Sequence, residues 1–223
     1  MNDYLLLFLL IMIIPISAQI YVSATYGKYR KIPNKFKLTG YDVARKILDK
    51  NGLNNVYIVK TGGRLSDHYD SSRKTIRLSN EIYDGDSMAA IAVAAHEVGH
   101  AIQDKDGYAF MRIRQAIAPT VSIGEKFSII LLLVGFFLQI VNLIWLAIII
   151  MVAGLAFQII TLPVEFDASK RAKAEIDKHN LADQKSMDGI RAMLKAAAMT
   201  YVAAVLASIL QILRLVLIIT DRR

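Results

Sequence analysis

The chain has 223 residues, of which 55% are hydrophobic, and its mean hydropathy is +0.40. A composition this apolar excludes an ordinary soluble domain and indicates helices that cross a membrane. Cysteine is absent, which excludes disulfide bonds and thiolate metal ligands. The net charge of +8 comes without a nucleic-acid-binding motif. We therefore expect no nucleic-acid partner and attribute the charge to membrane topology, with some attraction for anionic lipid head groups.

The first long apolar stretch covers about residues 4–22 and contains no charge. Its length suits one membrane-spanning helix. A cleaved signal peptide is the alternative, but that reading requires a basic region before the stretch, where Asn2 and Asp3 stand instead. We therefore predict an uncleaved membrane anchor.

The polar segment 27–123 is predicted to form the body of a small soluble module. Residues 39–51 carry the signals of a capped helix. Residues 55–60 and 74–79 alternate between polar and apolar side chains, as half-buried strands do. We expect the strand at 74–79 to be either an edge strand that pairs with an extended substrate or an ordinary structural strand.

His96, Glu97 and His100 form the pattern His-Glu-x-x-His. Positions i and i+4 of a helix lie on one face, so both imidazoles can aim at one metal ion. Glu97 then stands beside a metal-bound water, which is the arrangement of zinc hydrolases. The preceding residues 88–95 are apolar and predict a buried helix, in which titratable groups need partners. Two surface histidines beside a solvated glutamate are the alternative.

A second apolar stretch covers residues 127–163 without a charge. As one helix it would be about 55 Å long, against a hydrocarbon core of about 30 Å. We therefore predict two spans, about 124–141 and 144–163, joined by a tight turn near Asn142. The last apolar stretch, about 196–218, contains several polar side chains. We predict a fourth span there, and an amphipathic helix on the membrane surface is the alternative.

Lysine and arginine concentrate in residues 27–46 and 164–195, whereas the predicted hairpin turn has none. The positive-inside rule places both polar segments in the cytoplasm. Four spans then put both chain termini outside, although Arg222 and Arg223 run against this orientation. We expect one integral-membrane domain, residues 1–223, whose soluble module combines 27–123 with 164–195.

A catalytic zinc ion normally has three protein ligands, so a third is expected beside the two histidines. Glu165 is the best candidate, because a carboxylate at the mouth of a membrane helix is expensive to bury without a partner. An interfacial carboxylate that faces water or Lys170 is the alternative. Of the other histidines, His68 is expected in a loop and His179 in a solvated, charged stretch.

Six short motifs stand out together. They are Pro33-Asn34, Leu38-Thr39-Gly40, Asp67-His68-Tyr69-Asp70, residues 94–103, Gly107-Tyr108 and residues 162–169. As a set they resemble the bacterial membrane zinc metallopeptidases of the YugP type over essentially the whole chain. A more distant similarity is to the HtpX and Ste24 types of gluzincin. These resemblances imply one Zn²⁺ ion, with His96, His100 and Glu165 as its ligands and Glu97 as the catalytic base.

One position departs from the HtpX and Ste24 pattern. Ser169 stands where that pattern has an aspartate that orients a ligand histidine. Serine can take this role only as a neutral partner. Asp167 is two residues away, off the helix face that Glu165 and Ser169 share.

The predicted fold is a mainly α membrane protein with about four transmembrane helices and a small cytoplasmic α+β zincin-like module. The expected protein is a zinc-dependent endopeptidase of the cell membrane, with its active site facing the cytoplasm. A zinc-activated water attacks the peptide bond of a peptide or membrane-protein substrate, and Glu97 is the general base. A zinc hydrolase of a non-peptide amide is one alternative. Another is a non-catalytic scaffold whose structural metal takes His68 as a fourth ligand. The oligomeric state is left open.

Overall fold

The computed structural model describes residues 3–63 and 66–221, so Arg222 and Arg223 lie outside the described residues. Seven helices and three strands follow one another within this part of the chain. They are α1 (Asp3–Tyr29), α2 (Gly40–Lys50), β1 (Tyr57–Thr61), β2 (His68–Asp70), β3 (Thr75–Ser79), α3 (Asn80–Tyr83), α4 (Met88–Lys105), α5 (Ala109–Phe137), α6 (Val141–Lys178) and α7 (Gln184–Thr220). Helices α1, α5, α6 and α7 are long and apolar enough to cross a membrane. The chain is thus a mainly α-helical membrane protein with a small α+β part, which confirms the predicted fold class.

The chain divides into two compact units. A span unit comprises residues 1–19, 112–163 and 199–223, and a sheet unit comprises residues 20–111 and 164–198. Helices α1, α5, α6 and α7 each contribute residues to both units. The residues of the predicted metal site, 96–100 and 165, all belong to the sheet unit.

In the span unit, α5 and α6 are joined by residues 138–140, slightly earlier than the predicted turn near Asn142. Gln139 takes the left-handed backbone conformation, with φ at 56°. The amide of Ile140 donates to the carbonyl of Gly135 over 2.9 Å and so caps the end of α5. A Cβ atom on Gly135 would lie 2.7 Å from Ile144 Cγ1, so glycine is what lets the two helices approach here.

In the sheet unit, α2 begins with the predicted cap. The Thr39 hydroxyl accepts from the Asp42 amide over 3.1 Å, and the Asp42 carboxylate accepts from the Thr39 amide over 2.9 Å. This reciprocal pair satisfies two amides that a helix start leaves without an intrahelical partner. The inward face of α2 is fully buried in the core of the unit. Its residues are Val43, Ala44, Ile47 and Leu48.

The three strands form one sheet in the order β1-β3-β2. Strand β3 is parallel to β1, with Tyr57 opposite Thr75, and antiparallel to β2, with Tyr69 opposite Ile76. Of the two alternatives for residues 74–79, the edge strand open to substrate is wrong, because both edges of β3 are already paired, and the ordinary structural strand is confirmed. The expectation of a loop at His68 is also wrong, since His68 begins β2.

Helix α4 is buried almost all round. From Met88 to Gln103 only Val93 and His96 are even partly exposed. Its first turn is capped by Ser87, whose hydroxyl accepts from the Ala90 amide over 3.1 Å. This confirms the buried apolar helix that the sequence predicts, and it fixes the element that carries the two histidines.

Candidate metal centre

His96 and His100 lie one turn apart on the same face of α4. Their ring centroids are 4.7 Å apart, and the rings meet edge to face at 81°. The Nε2 atoms of both rings face the carboxylate of Glu165. Glu165 Oε2 lies 3.2 Å from His96 Nε2 and 3.6 Å from His100 Nε2. The structure therefore brings together the three residues that were predicted from the sequence as metal ligands.

A glycine lets α6 carry Glu165 this close to α4. A Cβ atom on Gly99 would lie 2.5 Å from the backbone oxygen of Ala168, closer than a real contact allows. Ala168 is fully buried and lies one turn after Glu165. Helices α4 and α6 thus touch backbone to backbone beside the site, and the carboxylate is delivered at hydrogen-bond distance from the histidines.

The burial of Glu165 excludes the alternative of an interfacial carboxylate. Its side chain is only 2% exposed, and both histidine contacts come from inside the fold. A buried carboxylate is costly without a partner. The two imidazoles beside Glu165 can offset this cost, either by donating ring N–H groups to the carboxylate or by sharing a cation with it.

The donor set fits a single zinc ion. One ligand atom from each of His96, His100 and Glu165 lies within 4.8 Å of the others. Tetrahedral zinc with bonds of about 2.0–2.2 Å places neighbouring ligand atoms about 3.3 Å apart, which matches the 3.2 and 3.6 Å measured here. Two histidine nitrogens and one carboxylate oxygen are a ligand set found at catalytic zinc sites. In such sites water or substrate takes the fourth coordination position.

The outer nitrogen of each histidine has its own partner. Ser169 Oγ lies 3.2 Å from His96 Nδ1, so the serine contacts this candidate ligand as a neutral group. His100 Nδ1 lies 3.0 Å from Oε1 of Gln103. Such contacts orient an imidazole and decide which nitrogen points at a metal. The sequence analysis missed Gln103, although a glutamine three residues after a candidate ligand on a buried apolar helix is a usable signal.

Glu97 is buried beside these residues, with 7% of its surface exposed. Burial raises its pKa to about 7, and the negative charges of Glu165 and Asp67 act in the same direction. The neighbouring His96 and a hydrogen bond from the Tyr69 backbone amide oppose the rise. A carboxylate whose pKa lies near neutrality is well suited to take up and release a proton.

The other two histidines lie elsewhere. His68 is exposed, and its Nδ1 lies 2.8 Å from the backbone oxygen of Ser66. His179 is partly buried and contacts Glu175 over 3.2 Å, so it is not the solvated side chain expected from the sequence. Within residues 3–63 and 66–221, neither joins the cluster of potential metal ligands. A closed four-ligand site completed by His68 therefore finds no support.

Comparison with known proteins agrees with this geometry. The model of the family described as "Putative neutral zinc metallopeptidase" matches residues 4–220. The chain is 43% identical over 206 residues to the "Putative membrane protease YugP" of Bacillus subtilis, and the match covers 92% of each chain. No solved structure shows significant similarity to the present chain. The chain therefore belongs to this family of neutral zinc metallopeptidases, and its cofactor is Zn²⁺.

Proposed function

We propose that this membrane protein is a zinc-dependent endopeptidase in which His96, His100 and Glu165 hold the metal and Glu97 is the general base. The observation that carries the proposal is the convergence of three metal-ligating atoms within 4.8 Å next to a buried carboxylate on the same helix. The identity of the family supports peptide hydrolysis. The substrate class is then a peptide or a membrane protein.

The chemistry divides between the metal and the chain. When bound, zinc would polarise the peptide carbonyl and acidify the attacking water. Glu97 takes the proton of that water at its carboxylate, and it passes the proton to the nitrogen of the departing amine. His96 and His100 would hold the metal through the lone pairs of Nε2, and the carboxylate of Glu165 would add one negative charge. In the absence of metal, burial raises the pKa of Glu97 to about 7, which suits a group that takes up and later releases a proton.

We propose that residues 27–123 and 164–195 form a soluble module on the cytoplasmic side of the cell membrane. The support is the concentration of lysine and arginine in residues 27–46 and 164–195. The four apolar helices provide the spans. Reporter fusions at residues 110 and 180 should both give a cytoplasmic signal. A signal from the opposite side at either position refutes this orientation.

The decisive experiment replaces Glu97 by Gln in the full-length protein. The amide keeps the shape but cannot take a proton, so we expect zinc to remain bound and peptide cleavage to fall by roughly 10²- to 10⁴-fold. Zinc is measured by elemental analysis. Cleavage is measured by comparative proteomics of membranes that contain either form.

Glu81→Gln is the matched control, because this partly exposed glutamate pairs with Arg30 and lies outside the metal cluster. It should retain both zinc and cleavage. Unchanged cleavage in a zinc-loaded Glu97→Gln variant would refute the general-base role. Products that are cleaved at a non-peptide amide would instead assign the same centre to another amide substrate.

A further inference from the structure

Gln103 is completely buried and uses both ends of its amide. Its Oε1 lies 3.0 Å from His100 Nδ1. Its Nε2 donates to the backbone oxygen of Val164 over 2.7 Å and to Asp167 Oδ2 over 2.9 Å. The single side chain thus connects a candidate metal ligand on α4 to the backbone and a carboxylate of α6.

These partners permit only one orientation of the amide. A backbone carbonyl and a carboxylate can only accept hydrogen bonds, so the NH₂ group must face Val164 and Asp167. The amide oxygen then faces His100, and because it too can only accept, His100 must carry its hydrogen on Nδ1. In the neutral ring that can bind a metal, the lone pair of His100 is then on Nε2, the atom that lies 3.6 Å from Glu165 Oε2.

Asp167, the last group in this series of hydrogen bonds, is itself held in place. Arg171 Nε donates to Asp167 Oδ2 over 2.6 Å, one helical turn away on α6. The same guanidinium pairs with Asp106 just after α4. It also lies 5.9 Å from the ring centroid of Tyr108. Asp167 is therefore fixed on two sides, and its charge is directed at the Gln103 amide.

We propose that Gln103 is a positioning residue that sets the tautomer and ring orientation of His100 and thereby raises the affinity of the site for zinc. Asp167 acts on His100 through this amide, in place of a direct carboxylate–histidine contact. The inference rests on the proposed zinc site. It extends that proposal by assigning roles to two residues outside the ligand set.

The test compares zinc dissociation constants of full-length, detergent-purified variants by competition with a fluorescent chelator. Gln103→Met keeps the length of the side chain but removes the amide, and it should weaken zinc binding by about 10- to 100-fold. Asp167→Ala should weaken it near the lower end of that range, because Val164 still accepts from the amide. Ser87→Ala is the control, since it removes the cap of the same helix without touching the ligands. It should lower the thermal stability and leave the zinc affinity unchanged.

Failure of the two proposals would be distinguishable. If the wild-type protein binds no zinc, the proposed zinc site and the proposed function are both refuted. Wild-type zinc affinity in folded Gln103→Met, or in Asp167→Ala should the Met variant fail to fold, refutes only the positioning role. The zinc-loaded wild type gives a readout that needs no stability comparison. Its ¹⁵N histidine spectrum, assigned with His100→Asn, should show a protonated Nδ1, and coordination of zinc through Nδ1 would overturn the inference.

Discussion

Gly99→Ala tests the close approach of α4 and α6. The added Cβ atom would stand 2.5 Å from the Ala168 backbone oxygen and 3.1 Å from its carbonyl carbon and its Cα. Ordinary contact begins at 3.4 Å, so the two backbones must part by about 0.9 Å at this point. No flexible side chain can absorb the change, because all three atoms belong to the main chain of the buried residue Ala168.

The same separation acts directly on the candidate metal centre. His100 follows Gly99 on α4, and Glu165 lies one turn before Ala168 on α6. A shift of this size would lengthen the 3.2 and 3.6 Å contacts of Glu165 towards 4 Å or more, beyond the spacing of about 3.3 Å that tetrahedral zinc requires. We expect a stability loss of about 1–3 kcal/mol from overpacking. We also expect roughly a 100-fold loss of activity, the scale associated with a 1 Å misplacement.

The assay measures the thermal midpoint, zinc affinity and peptide cleavage of the same detergent-purified protein. Gly27→Ala is the matched control, because it is the same chemical change on a helix with nothing within 4 Å of the added atom. It should leave zinc affinity and cleavage unchanged and raise the thermal midpoint slightly, because alanine favours a helix over glycine by up to about 1 kcal/mol. A Gly99→Ala protein with wild-type zinc affinity and cleavage would show that the helix contact does not determine the ligand geometry.

Three further predictions concern individual side chains. Glu165→Gln should lose most zinc in elemental analysis, because a neutral amide replaces the anionic member of the proposed ligand set, and full retention would contradict the ligand role. In the metal-free protein, burial raises the pKa of Glu97 to about 7 from 4.5. The contribution of protonated Glu97 to the free energy of unfolding is therefore complete below pH 4.5 and is lost as the pH rises through 7. Thermal unfolding at different pH values should show a loss of about 3 kcal/mol in the free energy of unfolding. This pH dependence should disappear in Glu97→Gln. An identical pH dependence in both proteins would refute the assignment to Glu97. Thr39→Ala should cost about 1 kcal/mol of stability through the lost cap and leave zinc binding unchanged, whereas a change in zinc affinity would show that α2 affects the site.

Local sequence signals predicted the helical framework well. The cap of α2 at Thr39 and the apolar α4 rest on contacts between residues a few positions apart, which a sequence shows directly. The four candidate spans follow from length and hydropathy alone. The convergence of Glu165 on His96 and His100 was accessible because buried carboxylates and imidazoles need partners, and few other candidates exist.

Long-range pairing could not be predicted in the same way. The alternation at 74–79 predicted a half-buried strand, whereas four of the five residues of β3 are buried and both faces are covered. Alternation carries no information about neighbouring strands, so the central place of β3 was not predicted. Strand β2 has three residues, too few for a period to be visible. The role of Gln103 depends on Val164 and Asp167, more than sixty positions away in the chain.

Between Met88 and Gln103 of α4, the partly exposed positions Val93 and His96 should restrict how a substrate approaches. Val93 and His96 are three residues apart and so form one stripe of the helix. His96 is 15% exposed, whereas His100 is 8% exposed. We expect a substrate of the proposed peptidase to approach along this stripe and to reach His96 before the more buried His100. A larger side chain at Val93 should then reduce cleavage and leave the zinc affinity unchanged.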